Sequence, residues 1–185
     1  MKFQNKITGA IVEWDRHNIN SNLFSAQNRN RLYWTNIEVN PTPQDKGILF
    51  EHIVEPLQDV DPSHFISESK YAFIKRNGVK IKLNKQKAGC LSASFWKQGK
   101  QECTSLISDR EWDVSKHNDS SHTDVYRKLT PLEAERLQTL PEGYSAVPGH
   151  AGSRGKITSN SQRYKMIGNG WTIDVICHLL KNLKV

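Results

Sequence analysis

Gln27, Arg29 and Arg31 occupy alternate positions in the segment Ser25-Ala26-Gln27-Asn28-Arg29-Asn30-Arg31-Leu32-Tyr33-Trp34-Thr35-Asn36-Ile37. On extended backbone, residues two apart project to the same side. The spacing therefore sets one amide and two guanidinium groups on a common face. Guanidinium groups held on a rigid element make a site for a phosphate or an electron-rich base edge. The same pattern also suits an edge strand kept soluble by its charges. Leu32, Trp34 and, less strictly, Ile37 predict the apolar anchoring of a strand running through about Asn36.

Further along, the chain predicts elements able to position such a site. In Arg127-Lys128-Leu129-Thr130-Pro131-Leu132-Glu133-Ala134-Glu135-Arg136-Leu137-Gln138-Thr139-Leu140-Pro141, Thr130 is a good N-cap. Pro131 suits the first helical position, and Glu133 sits where a capping box needs it. Leu132, Leu137 and Leu140 supply apolar contacts, and Pro141 and Gly143 stop the helix. A loop follows over 148–159. A short helix is predicted over 161–167, ending at Gly168-Asn169, both able to adopt left-handed geometry. The last helix carries Ile173, Ile176, Leu179, Leu180 and Leu183 on one face, with Asp174 and Lys181 at ends that favour the macrodipole. Between these helices lies Gly168-Asn169-Gly170-Trp171. Glycines lacking Cβ let backbone approach a ligand closely; the alternative is a helix-to-helix turn whose Trp171 fills the core.

These three segments resemble, in the right order, three motif blocks of the DNA cytosine-5 methyltransferases. The first is similar to the family's Gln-x-Arg-x-Arg motif. The second is similar to its Arg-x-Leu-Thr-x-x-Glu-x-x-Arg-Leu-Gln-x-x-Pro block, and the third to its C-terminal Gly-Asn block. Together they reach from Ser25 to Leu183, and the resemblance is to the C-terminal half of the enzyme.

The resemblance implies an α/β fold: the distal part of a Rossmann-like methyltransferase sheet, a small β-rich recognition lobe and C-terminal helices. It implies residues 1–58 in the distal catalytic domain, 59–123 in the target recognition region, and 124–185 returning to the catalytic domain. Methylating carbon 5 of cytosine requires a nucleophile at carbon 6, a stabilised ring, a flipped base and S-adenosylmethionine. By resemblance, Arg31 contacts the flipped cytosine, Arg29 holds a phosphate or the catalytic loop, and Gln27 orders that shell. Gly168, Asn169, Gly170 and Trp171 border the methionine part of S-adenosylmethionine. The block around Glu133 and Arg136 is implied to be architectural.

The family's catalytic cysteine stands in a Pro-Cys dipeptide. Here Cys90 follows Gly89, Cys103 follows Glu102 and Cys177 follows Ile176. The glycine-rich cofactor loop and the Glu-Asn-Val block are also missing. The chain alone is therefore expected to be inactive, and a second polypeptide carrying the N-terminal catalytic half is its expected partner. The alternative is a non-catalytic, sequence-specific DNA-binding protein or a truncated relic of such an enzyme.

Composition agrees with a nucleic-acid partner. The net charge is +7 over 185 residues, which suits nucleic acid, an anionic membrane or an acidic protein. Lys75, Arg76, Lys80, Lys82, Lys85, Lys87, Lys97 and Lys100 lie in a stretch without Asp or Glu. Val79, Ile81 and Leu83 alternate with Lys80 and Lys82, predicting a strand with one basic face. That face, or a solvated lysine surface, explains the run; double-stranded DNA is the expected ligand of Arg76, Lys80, Lys82, Lys85 and Lys87. A second strand signal covers 90–96.

Residues 1–23 read as a short helix or loop, with Ile7, Ala10, Ile11 and Trp14 at roughly helical spacing. A short amphipathic segment at 48–57 reads as a possible helix, and 115–123 as a polar loop. Mean hydropathy is −0.66, with no long apolar run and no signal-peptide core, so a cytoplasmic location without membrane contact is expected. Three cysteines in dissimilar contexts suggest neither a disulfide framework nor a metal site.

Overall fold

The structure is a computed structural model; it describes residues 1–4, 6–67, 69, 72–73, 76, 80–82, 86–94, 103–108, 126–148 and 158–184. Strands β1 (Lys2–Gln4) and β2 (Ile11–Glu13) form an antiparallel hairpin. This replaces the helix or loop expected for the N-terminal segment. The spacing of Ile7, Ala10, Ile11 and Trp14 fits a helical turn, but Gly9 takes φ +71°. That left-handed conformation turns the chain back on itself. Ile7 and Ile11 are left exposed.

β3 (Asp15–Asn20) pairs antiparallel with β4 (Asn30–Thr35), the strand expected from the arginine segment. A third sheet, of four strands, has the order β5-β8-β7-β6. Its members are β5 (Phe65–Ile66), β6 (Lys80–Lys82), β7 (Cys103–Ser108) and β8 (Tyr126–Lys128). β6 and β7 are parallel, whereas β8 is antiparallel to both its neighbours. β6 realises the strand signal around Ile81. The signal at 90–96 does not produce a strand in its described part, 90–94. Here the backbone N–H of Leu91 goes to the Gln27 side chain rather than to a ladder. The 48–57 segment holds a 3-10 turn, Phe50–His52, and a second, Leu57–Asp59, begins at its end; it forms no α-helix.

Helix α1 (Pro131–Leu137) starts as its sequence dictates: Thr130 and Glu133 close a capping box with Pro131 in the first turn. Glu133 also meets the Arg127 guanidinium at 2.7 Å, both side chains being fully buried. Thr139 after the helix has φ 52°. Helix α2 (Asn160–Asn169) ends at the expected Gly168-Asn169 pair, but not through left-handed geometry. Gly168 and Asn169 are helical, and the cap Gly170 is extended with φ −72° rather than left-handed. Helix α3 (Ile173–Leu180) buries Val175 and Leu179. Ile173, Leu180 and Leu183, expected on its inner face, are exposed.

Two clusters hold these parts together. Ala26, Phe50, Ala88, Leu91, Leu129, Leu137, Tyr164 and Ile167 form one core. It joins the chain around Ala26, Phe50 and Ala88 to α1 and α2. Ile19 and Phe24 with Val175 and Leu179 form the other, clamping α3 onto the β3–β4 pair.

Candidate functional site

The Gln27-x-Arg29-x-Arg31 spacing keeps all three side chains on the side facing residues 90 and 91. Arg29 Nη1 donates to Leu91 O and lies 3.4 Å from Cys90 Sγ. Arg31 Nη2 also lies 3.4 Å from Cys90 Sγ. Leu91 N donates to Gln27 Oε1 at 2.7 Å.

The three residues nevertheless occupy different environments. Gln27 is fully buried, and its Nε2 donates to Leu137 O at 3.2 Å and Gln138 Oε1 at 3.3 Å. Arg29 is 5% exposed. Its Nη2 donates to Gly168 O at 3.1 Å and Gly170 O at 2.9 Å. Both terminal nitrogens of Arg29 thus bind protein groups, fastening strand, loop and turn together. Arg31 is exposed, and among the described residues its guanidinium holds Asn30 O, at 2.9 Å, besides the Cys90 contact. It is the guanidinium with donors to spare.

The turn from Gly168 to Trp171 is shaped by packing. A Cβ on Gly168 would sit 2.3 Å from the backbone carbon and oxygen of Ser92. The close approach expected at this glycine is thus to the chain's own backbone. Asn169 and Trp171 are exposed, Trp171 by 62%, so the indole does not fill the core. Thr172 anchors the turn below them: its hydroxyl donates to Gln138 Oε1 at 2.8 Å.

Arg29, Arg31 and Leu32 to Thr35 line one wall of a cleft of about 500 Å³, with Asn169, Trp171, Ile176, Leu179 and Leu180 opposite. Burial pushes the Tyr33 phenol above its ordinary range, with Arg29 and Arg31 pulling the other way. Tyr33 is therefore a neutral wall residue, and the fixed charge of the cleft is cationic.

The basic run is distributed differently. Arg76 is exposed, Lys80 and Lys82 lie on β6, and Lys85 lies outside the described residues. The Lys87 ammonium turns inward to Asn22 O at 2.7 Å, Ser25 O at 3.2 Å and Asp45 Oδ1 at 3.0 Å. Among the described residues no His, Cys, Asp and Glu group is placed to hold a metal, and no helix is long and apolar enough to cross a membrane. Sequence reasoning passed over Gln138, whose Nε2 also donates to Ile167 O at 2.9 Å. Its signal was its place within the second motif block, as the glutamine after Leu137; its partners are distant in the chain.

The architecture is a mixed α/β fold of the methyltransferase kind. It superposes on the Entamoeba histolytica methyltransferase EhMeth with a TM-score of 0.65 at 16% identity, over 94% of this chain and 55% of that one. Schizosaccharomyces pombe Dnmt2 methyltransferase gives 0.66 at 16% identity, over 94% and 59%. A mutant of Spodoptera frugiperda DNMT2 gives 0.59 at 19% identity, over 92% and 58%. The chain thus spans between 55% and 59% of the length of these structures. No curated protein matches significantly. The chain belongs to the C-5 cytosine-specific DNA methylase family, whose sequence model matches residues 7–185.

Proposed function

We propose that this chain is the C-terminal part, or subunit, of a DNA cytosine-5 methyltransferase that transfers methyl from S-adenosylmethionine to cytosine carbon 5. Family membership and methyltransferase-like structures support the transfer class. The observation carrying the finer reading is the shared cleft, which brings exposed Arg31 to the same opening as Asn169 and Trp171. One wall offers a cation for an electron-rich base or a phosphate. The other offers an amide and an indole edge.

The cofactor side fits that division. Asn169 and Trp171 are the groups free to hold S-adenosylmethionine, whereas the Gly168 and Gly170 carbonyls are occupied by Arg29. When bound, this cofactor supplies the electrophilic methyl group. Arg31 stabilises the reacting cytosine through its carbonyl oxygen or positions a flanking phosphate. Arg29 acts as a positioning residue, fixing the strand against the turn. The nucleophile comes from a second polypeptide, because Cys90, Cys103 and Cys177 are not in a Pro-Cys setting. Arg76, Lys80, Lys82 and Lys85 contribute to the DNA interface. Lys87 supports it from below by holding the 22–25 turn.

Labelled methyl transfer to DNA tests the reading, using this chain alone and mixed with a polypeptide supplying the cysteine-bearing half. Activity only in the mixture supports it. DNA binding with no activity in either sample supports the alternative, a non-catalytic DNA-binding protein or relic.

A further inference from the structure

Gln138 and Thr139 suspend the 168–171 turn from both ends. Ahead of the turn, Gln138 Nε2 donates to Ile167 O at 2.9 Å. Behind it, the Thr172 hydroxyl donates to Gln138 Oε1 at 2.8 Å, and Ile173 N donates to Gln138 O at 2.9 Å. Asp174 N donates to Thr139 Oγ1 at 2.9 Å. Gln138 and Thr172 are fully buried, and neither they nor Thr139 lines the cleft. The residues between these anchors do: Asn169 and Trp171 form part of its far wall. Gln138 Oε1 also accepts from Gln27 Nε2 at 3.3 Å, so the suspension is tied to the segment that carries Arg31.

Thr139 holds its anchor at a conformational cost. Its φ is 52°, and no other non-glycine among the described residues has a positive φ. A β-branched side chain is crowded there, whereas glycine adopts the same backbone freely. Glycine, however, would bring no hydroxyl to Asp174 N. That N–H belongs to the first turn of α3, where backbone donors find no acceptor within the helix. Strain that a fold retains points to a place where geometry matters more than local stability. Here that geometry is the placement of the far wall: the anchors at Ile167 and Asp174 bracket Asn169 and Trp171.

We propose that Gln138 and Thr139 are positioning residues for methyl transfer, fixing Asn169 and Trp171 at the distance from Arg31 at which the cleft takes S-adenosylmethionine. This rests on the functional reading above and adds which residues, themselves outside the cleft, set its width. Arg29 grips the turn from the strand side through Gly168 O and Gly170 O. Gln138 and Thr139 grip it from the helix side. Loosening the helix-side grip lets the far wall move but removes no group that touches the ligand. Hold on the cofactor therefore weakens while the chemistry of the bound state is kept.

The test reads wall position and cofactor hold separately. The full chain is labelled with 5-fluorotryptophan, and among its five tryptophans Trp171 is identified by the fluorine resonance missing from Trp171→Phe. Thr172→Val, nearly the same in shape, is expected to shift or broaden that resonance in the chain alone. In the chain mixed with the cysteine-bearing polypeptide, it raises the KM for S-adenosylmethionine about fivefold or more and changes kcat by less than about twofold. Thr172→Ser keeps the hydroxyl and restores both. Thr139→Gly moves resonance and KM as Thr172→Val does, while its melting temperature holds or rises. Gln138→Met, of similar volume, repeats the Thr172→Val result, and the Thr172 and Thr139 variants carry the test if it misfolds. A lowered melting temperature with an unmoved KM shows residues that serve the scaffold alone and overturns the inference. A Trp171 resonance or a KM that stays in place in folded Thr172→Val and Thr139→Gly also overturns it, and leaves the functional reading intact. No transfer by the mixture of folded wild-type polypeptides overturns both.

Discussion

The side-chain amide of Gln27 donates to the side-chain carbonyl of Gln138 at 3.3 Å, with both residues fully buried and 111 positions apart. Gln138 passes the contact on, accepting from the Thr172 hydroxyl and donating to Ile167 O. One buried chain of amides thus runs from the arginine strand to the turn at the far wall of the cleft. Gln27→Ala leaves the Leu91 N–H without its acceptor and Leu137 O without its donor. Stability is expected to fall by about 2–4 kcal/mol, read from urea unfolding.

Gly168 is required by space rather than by backbone conformation. Its missing Cβ would overlap the Ser92 backbone at 2.3 Å, whereas at Gly170 the nearest atom is Ile167 O at 3.3 Å. Gly168→Ala is expected to cost about 2–3 kcal/mol or more by overpacking, and Gly170→Ala about 1 kcal/mol or less. Thermal melts of the two variants check this contrast.

Arg29 and Arg31 separate structure from chemistry. Arg29→Ala strands the Leu91, Gly168 and Gly170 carbonyls, so it is expected to destabilise the fold by about 2–4 kcal/mol. Lysine does not rescue it, because a point charge cannot replace the guanidinium fork. Arg31→Ala is expected to change stability by about 0.5 kcal/mol or less. In the assembled enzyme it lowers methyl transfer by about 10–1,000-fold. Paired denaturation and transfer assays distinguish the two.

Glu135 sets an acid limit on stability. Burial alone would raise its carboxyl, but hydrogen bonds from Ser145, Arg163 and Gly143 outweigh that and hold it below its ordinary value near 4.5. A lowered folded value stabilises fully above the unfolded one and loses that contribution as pH falls through the folded one. Wild-type stability should therefore drop below pH about 4.5, and Glu135→Gln should flatten that part of the curve. Unfolding free energies between pH 3 and 7 test the sign, with about pH 4.5 as the turning region.

Local chemistry made parts of this molecule legible. The capping box of Thr130 and Glu133 lies within one turn and needs no distant partner. The Gln27, Arg29 and Arg31 periodicity placed all three on one side, as the contacts with residues 90 and 91 bear out. Burial was not legible from that periodicity: Arg29 looked like a ligand-binding cation and is largely bound by backbone carbonyls. Lys87 belonged to a basic run by sequence, yet its ammonium caps a turn that the run does not reveal. The N-terminal hairpin was missed because four apolar residues at helical spacing are too few to outweigh a left-handed Gly9. The Gln27–Gln138 and Gly168–Ser92 contacts depend on tertiary packing, which no local pattern encodes.

On the proposed reading, this chain supplies half of a cytosine-5 methyltransferase site and a partner polypeptide supplies the nucleophile. DNA containing 5-fluorocytosine tests it most directly, since blocked elimination traps the attacking residue on carbon 6. With S-adenosylmethionine and both polypeptides present, the covalent adduct should form on the cysteine-bearing partner and never on this chain, and Arg31→Ala should reduce its yield. An adduct on Cys90, Cys103 or Cys177, or trapping by this chain alone, would contradict the account.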